Sequence, residues 1–221
     1  MLILGTAWTA YMAANTVIFS YLSPNENQSH RVARLWAKIL LIMTSVRVQV
    51  RGRENLKEGQ SHVFMVNHQS VFDIFVLLAH IPVQFRWIVK KELFKVPVFG
   101  QAMRNAGYIE IDRQNHEKAL KSLDIAAQKI REGKSVMTFP EGTRSKDGKI
   151  KPFKQGMFYL AVQSGVPIIP VTLIGTAEIM TKHSLKIFPK KVKMVIDKPV
   201  DVRNYSIENR SELITLVQNI I

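Results

Sequence analysis

The spacing of apolar and polar residues changes several times along this chain, and each change outlines an element. Residues 1–25 contain no Asp, Glu, Lys, Arg or His, and residues 1–22 are mostly apolar. As a helix, residues 1–22 would be roughly 33 Å long, about the thickness of bilayer hydrocarbon. Thr6, Thr9, Asn15 and Thr16 dilute it, and no Lys or Arg opens it as in a signal peptide. Ser23-Pro24-Asn25 stops it. In residues 28–45, Arg31, Arg34 and Lys38 recur at helical spacing beside Leu35, Trp36, Ile39, Leu40, Ile42 and Met43. That is the pattern of a helix at a membrane surface. A span plus an interfacial helix, a hairpin in one leaflet, and two helices packed on a globular core are all compatible with it.

Beyond residue 45 the period alternates between two and about 3.6. Strands are predicted at 46–51, 62–66, 86–90, 108–111, 135–139, 166–174 and 191–196. Helices are predicted at 70–79, 115–132, 156–163 and 206–221, with a partly helical stretch at 93–107 interrupted by Pro97 and Gly100. Leu120, Leu123, Ala127 and Ile130 form one face of the second of these helices, and Gly133 ends it. Strands separated by helices predict an α/β fold with a mixed, mostly parallel sheet flanked by helices. The expected organisation is a membrane-associated two-helix segment, residues 1–45, and a catalytic domain, residues 46–221.

Composition narrows the chemistry. The formal charge of +14 over 221 residues favours an anionic partner. A nucleic acid is disfavoured, because no basic recognition helix, zinc spacing or RNA-binding aromatic motif occurs and the amino terminus is uncharged. The absence of cysteine excludes disulfides, thiolate zinc sites and a cysteinyl acyl-enzyme. No His-Glu-x-x-His and no Gly-x-Ser-x-Gly occurs, so neither a zinc hydrolase nor a serine hydrolase is supported, and no metal is expected.

His68 follows the strand at 62–66, and ligands in α/β sheets sit beyond strand ends. Asp73 lies five residues on. Within one regular helix the two side chains would diverge by roughly 140°. With His68 in the turn and Asp73 in the first helical turn they can meet, leaving one imidazole nitrogen as a general base. Ser70-x-x-Asp73 is equally a capping box. Phe139-Pro140-Glu141-Gly142-Thr143-Arg144-Ser145 follows a buried strand. Arg144 offers a planar donor for phosphate, Thr143 and Ser145 offer hydroxyls, and Gly142 lets the backbone present N–H groups. Glu141 is expected to hold Arg144 or orient an acceptor hydroxyl. Asp112-Arg113 ends another strand as a surface ion pair or a second phosphate contact. Lys90, Lys91 and Lys154 are further cationic candidates, with Lys90 or a backbone N–H near Gly142 as oxyanion donor.

Together these segments resemble the glycerolipid acyltransferase family, and most closely its 1-acylglycerol-3-phosphate acyltransferases. The resemblance rests on Asn67-His68-Gln69-Ser70-x-x-Asp73, Gly107-x-Ile109-x-Ile111-Asp112-Arg113, Phe139-Pro140-Glu141-Gly142-Thr143-Arg144-Ser145 and Val166-Pro167-Ile168-Ile169-Pro170-Val171. It covers roughly residues 60 to 175. It implies acyl transfer from an acyl-CoA or acyl-carrier-protein thioester, with no cofactor, to the sn-2 hydroxyl of lysophosphatidic acid, giving phosphatidic acid. His68 would be the base and Asp73 its support. Arg113, Glu141, Gly142, Thr143 and Arg144 would bind the acceptor's glycerol phosphate. Gln69 is similar to the lysophosphatidic acid subgroup, whereas Glu110 departs from the apolar or aromatic residue usual there. The positive-inside tendency of Arg31, Arg34 and Lys38 places the protein on the cytoplasmic face of an inner membrane, against anionic lipid.

Overall fold

A computed structural model describes residues 2–22, 25–57, 59–112, 114–145, 147–180 and 186–221. Seven strands form one sheet: β1 (Arg47–Arg51), β2 (Val63–Val66), β3 (Phe85–Lys90), β4 (Ile109–Ile111), β5 (Ser135–Thr138), β6 (Ile168–Ile174) and β7 (Lys191–Ile196). Their order is β1-β7-β6-β2-β5-β3-β4. Every pairing is parallel except β6 with β7. The mixed, mostly parallel sheet expected from the alternating pattern is present. Its five strands from β6 to β4 run the same way, so their carboxyl ends share one edge.

The helices are α1 (Leu2–Leu22), α2 (Glu26–Met43), α3 (Phe72–His80), α4 (Phe99–Asn105), α5 (His116–Arg131), α6 (Gln155–Ser164) and α7 (Arg210–Ile220). β2 and β5 are wholly buried, which is why both read as short apolar runs. One core, under α2 and α3, takes Phe64, Val66, Met137, Val171 and Met194 from the sheet. The other, under α5, α6 and α7, takes Val63, Met65, Val136 and Ile168. The stretch 93–107 resolves into a tight turn, Lys91–Lys95, and the short α4. The last helix starts at Arg210 rather than 206, because Ser206 and Asn209 spend their polar groups on turn N–H groups.

α1 and α2 form an antiparallel pair. The Trp8 indole donates to the Trp36 carbonyl, and the Trp36 indole donates to Thr9 Oγ1. Thr9, Asn15 and Thr16 bond to carbonyls four residues back, so these three polar side chains are satisfied within α1. α2 packs on α3 through Ala37 and Leu41. Arg34, expected at lipid phosphates, instead donates to the carbonyls of Leu78 and Pro82. Among the described residues, no helix is long and apolar enough to cross a membrane. Yet Ile3, Leu4, Ile18 and Phe19 are each more than half exposed.

A buried polar junction fastens the start of α2 to the sheet. Arg86 has no exposed surface; it donates to Glu26 Oε2 and Asn27 Oδ1. Lys129 holds the other Glu26 oxygen at 2.9 Å. Gly107, at φ +71°, suits this place: a side chain would be strained there, and its Cβ would lie 2.3 Å from the Glu26 carboxyl carbon. His30 is fully buried beside the Tyr108 hydroxyl. Burial, then the charges of Arg86 and Arg34, hold its pKa down to about 3, so it stays neutral when folded. The unfolded imidazole binds a proton near pH 6.5. The stabilisation is therefore complete above that pH and is lost as the pH falls, by about 1.4 kcal/mol per pH unit. His62 and His80, also shifted down by burial, act in the same direction. The melting temperature should therefore fall steadily between pH 7 and pH 5, and His30→Phe should flatten that slope. An identical slope in both proteins would remove His30 as its source.

Candidate active site

β2 ends at Val66, and the next side chain replaces a missing rung of the ladder. Asn67 donates to the Leu173 carbonyl and accepts from the Leu173 N–H, at 2.9 and 2.7 Å. The chain is thereby pinned to β6 and turns upward at the carboxyl edge, carrying His68. The His68 side chain is 14% exposed, and its Nδ1 lies 2.8 Å from Asp73 Oδ2. That oxygen also accepts from the N–H groups of Gln69 and Ser70. An oxygen accepting two backbone N–H bonds is an acceptor for the ring as well. Nδ1 thus carries the proton and Nε2 keeps its lone pair.

The alternatives of catalytic pair and helix cap turn out not to compete. Asp73 stands near the start of α3, and the same oxygen caps the Ser70 N–H and orients the imidazole. The reciprocal half of the capping box is not formed: the Asp73 N–H donates to the Ser70 carbonyl, and the Ser70 hydroxyl donates to the Met180 carbonyl. His68 also lies flat on Phe139, with ring centroids 3.8 Å apart and planes 10° apart. Trp87 stacks behind Phe139. Sequence reasoning missed this support. The only available signal was the position of Phe139 at the end of a strand, and that does not say which strand lies beside it.

The turn after β5 closes against the His68 backbone. Glu141, buried, accepts from the His68 N–H at 2.6 Å and from the Lys151 N–H at 2.9 Å. Ser145 donates its N–H to the His68 carbonyl. The expectation that Glu141 holds Arg144 is not met: both carboxylate oxygens serve backbone N–H groups, locking the two loops together. Burial pushes its carboxyl up, and the N–H bonds from His68 and Lys151 oppose this. Gly142 has φ +74°, and its N–H donates to the Phe139 carbonyl, so that N–H is not the free oxyanion donor expected. Lys154 lies across its open face; a Cβ at Gly142 would be 2.9 Å from Lys154 Cε.

Thr143 is exposed and Arg144 partly so. The Arg144 carbonyl accepts from Lys151 Nζ, but among the described residues its guanidinium has no hydrogen-bond or ion-pair partner. Lys90 ends β3, is more than half exposed, and among the described residues has only a loose contact with Glu92. Lys91 is committed to Asp112 at 2.5 Å, so the acid that ends β4 pairs with β3's turn. Arg113 lies outside the described residues. Strand order thus sets His68, the 139–145 turn, Lys90 and Asp112 along one edge, on β2, β5, β3 and β4. With strands ~4.8 Å apart, the row is ~14 Å long. It presents one open imidazole nitrogen beside a series of cations, which can deprotonate a hydroxyl held by an attached phosphate.

The Acyltransferase family profile matches residues 47–174, from β1 through β6. A Brassica napus protein, 1-acyl-sn-glycerol-3-phosphate acyltransferase BAT2, chloroplastic, is 38% identical over 77% of this chain and 50% of its own length. The Helicobacter pylori 1-acyl-sn-glycerol-3-phosphate acyltransferase is 31% identical over 81% of this chain and 75% of its own. The crystal structure of PlsC, the 1-acyl-sn-glycerophosphate acyltransferase of Thermotoga maritima, superposes with a TM-score of 0.82 at 28% identity. It covers 99% of this chain, which covers 92% of that one. The chain spans about half the length of the Brassica napus and Arabidopsis thaliana relatives it matches.

Proposed function

Because this chain belongs to the acyltransferase family, we propose that it transfers a fatty acyl group from a thioester to the sn-2 hydroxyl of 1-acyl-sn-glycerol 3-phosphate. The product is phosphatidic acid. The observation that carries this reading is the His68–Asp73 pair, with Nε2 open at the edge that also holds Arg144. The relatives carry the acceptor in their names.

His68 Nε2 takes the hydroxyl proton as the oxygen attacks the thioester carbonyl. The ester C–O bond forms, the C–S bond breaks, and the departing thiolate takes the proton back from the imidazolium. No covalent enzyme intermediate is needed, since a thioester already carries a good leaving group. Asp73 holds the ring and stabilises its cation. Arg144, with Lys154, Thr143 and Arg113, holds the acceptor phosphate. Glu141 and Gly142 shape the turn that presents them, and Lys90 faces the oxyanion or the phosphate. The acyl donor is acyl-CoA or acyl-carrier protein. Incubation of the purified protein with lysophosphatidate and each thioester, with the lipid product identified by mass, tests the reaction. Formation of no phosphatidic acid would refute it.

Arg144→Ala should raise the KM for lysophosphatidate about 10- to 100-fold, the equivalent of one charge-assisted contact to phosphate, with little change in kcat. An unchanged KM would place phosphate binding elsewhere on the edge. We also read the protein as membrane-bound on the cytoplasmic face. The exposed apolar side chains of α1 enter one leaflet, and Arg31 and Lys38 on the outward face of α2 meet anionic headgroups. Flotation with phosphatidylglycerol vesicles tests this. Recovery of the protein in the dense fraction would count against it.

A further inference from the structure

Among the described residues, no helix packs on the face of β1 and β7 turned away from α2 and α3. The core under α5, α6 and α7 includes residues of β2, β3, β4, β5 and β6, but none of β1 or β7. Register aligns Arg47 with Lys191, Gln49 with Lys193 and Arg51 with Val195 on this bare face. Neither strand contains a carboxylate. Among the described residues, the side chains of Arg47, Arg51, Lys191 and Lys193 form no ion pair. Like charges directly opposite in a sheet are destabilising, and Arg47 opposes Lys191 without compensation. The top of the face holds a groove of about 350 Å³, lined by Arg47, Gln49, Lys191 and Lys193 together with Ile174 and Gly175. The carboxylate there, Glu178, is already paired with Lys190 at 3.1 Å.

Position gives the patch its meaning. β7 and β1 run against the other strands, so Arg47 and Lys191 lie at the same edge as His68. Ile174 follows Leu173, which is bonded to Asn67, the residue before His68. The groove is thus two to three strand spacings, ~10–14 Å, from the base. The apolar surface of α1 lies on the opposite side of the sheet, so a bilayer seated against α1 leaves the β1–β7 face to water. The cations also extend ~13 Å along β1, more than one phosphate group requires.

We propose that the β1–β7 face docks an acidic acyl-carrier protein, whose flexible thioester arm then runs along the sheet edge to His68. This rests on the acyl-transfer reading above and assigns its donor. The net charge of +14 would add electrostatic steering of such a partner.

The test is the full chain carrying Arg47→Glu and Lys193→Glu together, with Arg47→Gln and Lys193→Gln as a milder pair. Binding of fluorescently labelled holo-acyl-carrier protein should weaken about tenfold in the first and less in the second, the scale of losing two interfacial charge contacts. The KM for the carrier thioester should rise in proportion, and the KM for acyl-CoA should stay within about twofold. Unchanged carrier binding would overturn the proposal. So would an equal rise in KM for acyl-CoA, which would make the groove a nucleotide site. Loss of phosphatidylglycerol-vesicle binding with intact carrier binding would overturn it too, by making the face a lipid contact. If the wild-type protein uses acyl-CoA but binds no carrier, only the docking inference falls. If it uses neither donor, the reaction falls, and the binding measurement still decides the docking.

Discussion

His68→Ala should reduce acyl transfer by about 10² to 10⁴-fold while leaving the protein folded, the range contributed by one positioned general base. The loss should appear in kcat, with the KM for both substrates little changed, because the phosphate contacts lie on other loops. The fold should survive because the imidazole is not what holds its loop. The His68 N–H and carbonyl, both backbone groups, are held by Glu141 and Ser145, and alanine keeps both bonds. Asp73 keeps the Gln69 and Ser70 N–H groups. Circular dichroism and melting should therefore resemble the wild type. Activity above about a tenth of wild type in a folded His68→Ala protein would remove the base from the mechanism.

Asp73→Asn should be nearly as damaging to catalysis. An asparagine can keep one oxygen in place for the N–H groups, but it is neutral and cannot stabilise an imidazolium. If its amide nitrogen turns to the ring, Nδ1 must accept, the proton moves to Nε2, and the base is lost. The same exchange in a hydrolase triad costs about 10⁴-fold, and a loss of about 10² to 10⁴-fold in kcat is expected here. Asp73→Ala is the less informative variant. It strands two loop N–H groups, at about 1–3 kcal/mol each where they are buried, so it mixes lost catalysis with lost stability. An Asn variant with full activity would reduce Asp73 to a helix cap.

The elements and the base pair were legible because they depend on near neighbours. Period-two and period-3.6 patterns reflect which side of one strand or helix is buried, and the two-sided burial of β2 and β5 wrote itself as continuous apolar runs. The His68–Asp73 contact spans five residues of one loop and helix start, so spacing alone made it geometrically possible. The four motif blocks gave the family, and with it the acceptor proposed above.

Tertiary structure decided the partnerships across the sheet. Glu141 reaches the His68 backbone over 73 residues of sequence, Lys91 crosses from β3's turn to Asp112, and Phe139 lies beneath the imidazole. It also placed Arg34 on the carbonyls of Leu78 and Pro82 and left the β1–β7 face bare. These depend on strand order, and order is set by the packing of all the layers at once, which no local pattern encodes. The sequence by itself determined which residues could do chemistry. The sheet determined which of them stand side by side, and which are spent holding the others in place.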